Sequence, residues 1–86
     1  MTAVEAERLL RRAARSQRKG WTVSEVRGKG GRHRGKGSHK MVGLYEDDGK
    51  LLAWTTIPQH PGDLSAVVTR EIEATFEPHF GKGWMG

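Results

Sequence analysis

"KMVGLYEDDGKLLAWTTI", residues 40–57, is the stretch on which the fold turns. Two runs rich in branched and aromatic residues, 40–45 and 51–57, flank "EDDGK". Such residues suit a pleated, half-buried surface, and Asp48-Gly49 favours the tight turn of an antiparallel hairpin. Alternation puts Lys40, Val42 and Leu44 on one side of the first strand and His39, Met41, Gly43 and Tyr45 on the other. If Val42 and Leu44 face the core, His39 faces solvent; the reverse assignment buries Met41 and Tyr45.

The rest of the chain arranges itself around this hairpin. "WTVSEV", residues 21–26, alternates Trp21 and Val23 against Thr22, Ser24 and Val26, the pattern of a short third strand. Near the amino terminus "TAVE" gives Thr2 and Glu5 the spacing of a capping box, which predicts a helix over about 3–18. Its apolar line is Ala3, Ala6, Leu10 and Ala13, with Leu9 and Ala14 flanking; Arg8, Arg11, Arg12, Arg15 and Arg18 project from the opposite side. Pro58 and Pro61 end the hairpin's second strand. Asp63 then stands where it can cap a second helix, which carries Leu64, Val67, Val68, Ile72 and Phe76 and is expected to stop near Glu77, before Pro78. The order helix, three strands, helix predicts an α+β domain, α-β-β-β-α, in which both helices cover one face of a three-stranded antiparallel sheet.

Length and charge narrow the function. At 86 residues the chain makes one small domain (1–86), too small for a large enclosed cavity, with a basic glycine-rich loop at 27–37 and an irregular tail at 78–86. It contains no cysteine, which excludes disulfides and thiolate metal sites. No apolar run approaches the ~20 residues that span a bilayer, so a soluble, cytoplasmic protein without a membrane partner is expected. The net charge of +5 is concentrated: residues 27–40 hold six Lys or Arg, five Gly and two His, leaving nine cations against ten acids elsewhere. A localised excess of this kind draws polyanions, nucleic acid foremost, although the same composition also suits a merely solvated loop.

Gly30, Gly35 and Lys36 nearly spell a phosphate-binding P-loop, but Gly37 occupies the Ser/Thr position and the segment leads into a strand rather than a helix. No nucleotide cofactor is expected. The four histidines, His33, His39, His60 and His79, lack helical ligand spacing, and two lie among cations, so no metal is expected either. A histidine beside a basic loop has another use. Imidazole can take the proton of a ribose 2′-hydroxyl while neighbouring cations stabilise charge on phosphorus, which breaks RNA without metal. His39 opens a strand, and Lys36 and Lys40 stand near it in sequence.

"GKGSHKMVGLY", then a hairpin, then "TTIPQH", "DL" and "TREI", resembles the HicA toxins of HicAB toxin-antitoxin systems. The shared features fall on Gly37-Ser38-His39, Pro58-Gln59-His60 and Arg70-Glu71-Ile72, and the resemblance runs from Gly20 to Phe76. It implies a fold like that of double-stranded-RNA-binding domains and a metal-independent endoribonuclease (an mRNA interferase) that arrests growth and is neutralised by a HicB-like antitoxin. His39 is then the catalytic general acid/base, Arg34, Lys36 and Lys40 hold the RNA phosphate, and Ser38 and His60 are secondary candidates. The chain departs from the family in Val67-Val68-Thr69, where Gly-Thr-Leu is common, in a longer link between Trp21 and His39, and in its tail. The alternative is a non-catalytic RNA-binding module that uses the basic loop and the open sheet face.

Overall fold

A computed structural model describes residues 1–26 and 39–86. The elements are α1 (Ala3–Ser16), β1 (Thr22–Glu25), β2 (His39–Tyr45), β3 (Leu51–Pro58) and α2 (Ala66–Phe80). The three strands form one antiparallel sheet in the order β1-β2-β3. The α+β class and the α-β-β-β-α order are those expected from the sequence.

α1 begins as a reciprocal capping box. Thr2 Oγ1 accepts from the Glu5 amide (3.2 Å), and the Thr2 amide donates to Glu5 Oε1 (2.8 Å). The Thr2 amide, foremost, and then the Thr2 hydroxyl favour the ionised Glu5 carboxylate and hold its pKa below its ordinary value. Ala3, Ala6, Leu10 and Ala14 form the buried line, and three alanines in it let the helix lie close to the sheet. The helix stops at Ser16, two residues sooner than the spacing predicts, with Arg18 left-handed at φ 55° and Gly20 at φ 74° completing the exit.

Val23, Val42, Leu44 and Ile57 supply the sheet's share of the core, and Ile72 and Phe76 supply that of α2. The turn "EDDGK" closes the hairpin as expected: the Glu46 amide donates to Lys50 O (2.8 Å), and Gly49 takes φ 93°. One feature was not legible. Leu44 pairs with Ala53 but Tyr45 with Leu51, so Leu52 is an extra residue in β3. At this bulge Leu52 and Ala53 both pack against the core, while Leu51 lies over Gly43 on the outer face. A Cβ at Gly43 would come within 2.8 Å of Leu51 Cδ1 and of Val26 Cγ2, so glycine is what permits this close approach.

α2 departs from expectation at both ends. Its N-cap is Ser65, whose hydroxyl accepts from the Val68 amide (3.1 Å). Asp63 instead accepts from the Met1 ammonium (3.1 Å), and the Leu64 amide donates to Met1 O (2.7 Å), which seats Leu64 in the core ahead of the helix. The shift turns Val67 to solvent. At the other end α2 continues through Pro78 to Phe80. Proline costs the helix a hydrogen bond, but it falls in the last turn, where aromatic packing compensates. Phe80 stacks on Phe76 (ring centroids 5.8 Å apart), Trp84 meets Phe80 edge-on (5.1 Å), and Trp21 meets His79 edge-on (5.9 Å).

Of the segment 78–86, residues 78–80 therefore belong to α2, and 81–86 follow as irregular turns packed back on the domain. After Gly81 the chain turns back, Met85 is buried, and Trp84 Nε1 donates to Glu73 O (2.8 Å). Replacing Trp84 with alanine removes that bond and the packing of the indole against Phe76 and Phe80. It is expected to destabilise the domain by about 2–3 kcal/mol, toward the low end for a large aromatic because the ring is only partly buried. A urea-unfolding midpoint unchanged from the wild type contradicts this packing role.

Candidate nucleic-acid interface

His39 is the first residue of β2, pairs in register with Pro58, and is exposed. Because Val42 and Leu44 are buried against the helices, alternation turns His39 outward; of the two registers open to sequence reasoning, this is the one that leaves the imidazole accessible. On that outer face stand Met41, Gly43 and Tyr45 from β2 and Leu51, Trp54 and Thr56 from β3. Trp54 stands apart from the other two tryptophans. Trp21 and Trp84 pack against the core, whereas Trp54 is 49% exposed on the same face as His39.

Lys40 points the other way. Its ammonium lies 3.1 Å from Glu7 Oε1 and donates to Oε2 at 3.2 Å, bridging the start of β2 to α1. Glu7 also lies 3.9 Å from Arg11, whose guanidinium donates to Val23 O at the outer strand β1. The Glu7 side chain is 16% exposed, so the contact with Lys40 is better shielded from solvent than an ordinary surface pair. Lys40 and His39, adjacent in sequence, thus serve opposite faces of the sheet. Glu7, 33 residues away in the chain, carried no signal that would have linked it to Lys40.

His60 is exposed beyond the end of β3, beside Gln59, Pro61 and the start of α1. Gln59 Nε2 donates to Ile57 O (3.0 Å), which fixes the chain as it leaves the sheet. Arg34, Lys36 and Ser38, with His33, lie outside the described residues. Of the residues predicted to act together, the structure describes His39, Lys40 and His60, and it distributes them over the two sides of the β2 start rather than in one cluster.

Comparison with protein-family models, curated proteins and solved structures finds no match. The site has to be read from its own chemistry. Among the described residues no helix is long and apolar enough to cross a membrane.

Proposed function

We propose that the protein is a metal-independent endoribonuclease toxin, similar to HicA, which cleaves mRNA in the cytoplasm and is neutralised by a HicB-like antitoxin. The observation that carries this reading is the exposed His39, fixed at the start of a paired strand and directly following a stretch dense in cations. A regular strand holds an imidazole at a constant angle, and exposure lets a polymer reach it. In the reaction the imidazole of His39 takes the proton of a ribose 2′-hydroxyl, and the 2′-oxygen attacks the adjacent phosphorus. The bond from phosphorus to the 5′-oxygen breaks, and that oxygen leaves with a proton from solvent. The products are a 2′,3′-cyclic phosphate and a 5′-hydroxyl end. Arg34 and Lys36 are assigned to the phosphate, where cationic donors stabilise the gathering negative charge, whereas Lys40, paired with Glu7 on the other face, is left out of that contact. The fold of double-stranded-RNA-binding domains is part of the same reading, supported by the α-β-β-β-α order.

The test is incubation of purified protein with end-labelled RNA in excess EDTA. Fragments ending in cyclic phosphate are the expected result, and RNA recovered whole at high protein concentration sinks the enzymatic reading. One observation favours a second reading, a binding module without chemistry: half-exposed Trp54 on the His39 face offers a surface on which a base can stack. Under that reading the same incubation yields a stable complex and no fragments.

A further inference from the structure

Three clefts follow one another along one flank of α1. The first lies between Thr2, Val4, Gln59 and His60. The second shares Val4 and Gln59 with it and adds Glu7, Arg8, Arg11 and Lys40. The third takes over at Arg11 and runs on to Arg15, Trp21 and Thr22. With volumes of about 470, 370 and 350 Å³, all open to solvent, they succeed one another through shared walls, Val4 and Gln59 and then Arg11, as a line of clefts that we treat as one groove beside α1. From Val4 to Arg15 the groove follows about 16 Å of helix at the standard rise per residue.

The charge along this groove is one-sided. Among the described lining residues, Arg8, Arg11 and Arg15 come from α1 and Lys40 from β2, against the single carboxylate of Glu7. Three of the four cations are spaced i, i+3 and i+7, so they form a row rather than a cluster. Arg12, on the same helix, belongs elsewhere: it lines a different cleft with Leu9, Phe80 and Trp84. A row of guanidinium groups over low-dielectric walls focuses positive potential along a line, and guanidinium matches phosphate oxygens in pairs. A line of solvent-open clefts of this kind admits a chain of anions in a way that an enclosed pocket does not.

We propose that this groove binds the sugar-phosphate backbone of a single RNA strand, with Arg8, Arg15 and Lys40 meeting its phosphates and Arg11 braced by Glu7 and Val23 between them. The proposal rests on the nucleic-acid reading above but not on His39 as catalyst. It gives the arginine face of α1 a specific job that net charge alone does not.

The probe is a 2′-O-methyl RNA oligonucleotide, which lacks the attacking hydroxyl and so stays intact. Its affinity is measured over a range of potassium chloride concentrations for the wild type, Arg8→Ala/Arg15→Ala and Arg12→Ala, with circular dichroism on each. The double variant is expected to bind roughly tenfold more weakly near physiological salt, and its log-log salt slope is expected to fall by about 1.4, the value for a single strand with two fewer phosphates neutralised. Arg12→Ala stays within about twofold of wild type, and Arg8→Lys/Arg15→Lys keeps the wild-type salt slope. Weakening by Arg12→Ala equal to that of a groove arginine overturns the proposal, because diffuse charge is then sufficient. Affinity unchanged in Arg8→Ala/Arg15→Ala also overturns it, whether or not RNA is cut. Wild-type protein that binds phosphatidylserine vesicles but no RNA overturns both the groove and the functional reading.

Discussion

Replacing His39 with alanine is expected to lower the rate of RNA cleavage by about 100- to 10,000-fold, the range that a positioned acid/base supplies. The fold should survive the change. His39 is exposed on the outer face of the sheet and lies outside the apolar core, so the stability loss is expected to stay within about 1.5 kcal/mol, the scale of one surface contact. Affinity for uncut RNA should also persist, since the groove cations do not include the imidazole. The measurement is single-turnover cleavage of labelled RNA in EDTA, beside circular dichroism and binding on the same preparation. In cells, growth arrest by the wild type should disappear in the variant. A variant that folds, binds and still cuts at the wild-type rate removes His39 from the chemistry.

The second large effect belongs to the core. Phe76 is fully buried, stacks on Phe80 and meets the edge of Trp84 at 6.0 Å. Phe76→Ala is expected to cost about 3–5 kcal/mol, combining forfeited transfer energy with an unfilled cavity. A domain of this size has roughly 4–13 kcal/mol in total at the usual stability per residue. At about 4–8 °C per kcal/mol the midpoint should therefore fall by tens of degrees. Phe76→Leu keeps most of the volume and should lose only a fraction of this. Thermal unfolding followed by circular dichroism separates the two, and an alanine variant melting within a few degrees of wild type contradicts the central position given to this ring.

Local signals were the readable part of the sequence. The capping box of Thr2 and Glu5, the Asp48-Gly49 turn and the alternation in "KMVGLY" depend on residues within a few positions of one another, and each produces the element it predicts. The misjudged features depend on distant partners. Asp63 and Ser65 are both good caps; the tether of Met1 to Asp63 and Leu64, more than 60 residues away in the chain, accompanies the choice of Ser65. Pro78 is a helix terminator by its own chemistry, yet the ring of Trp21, from the far end of the chain, packs against His79 and Phe80 and helps hold one more turn in place. The extra residue in β3 leaves no trace in composition because leucine and alanine fit either face. At the site, the outward direction of His39 was one of two possibilities until the burial of Val42 and Leu44 decided between them. The ion pair of Lys40 with Glu7 and the alignment of three clefts along α1 are products of tertiary approach alone.

The two neighbours His39 and Lys40 stand back to back, and β1 pairs no further along β2 than the residues around Met41. A polynucleotide touching both has to bend round that end of the sheet. A paired double helix is too stiff to take such a turn readily, so under the proposed reading unpaired stretches of RNA are the material this end of the sheet suits.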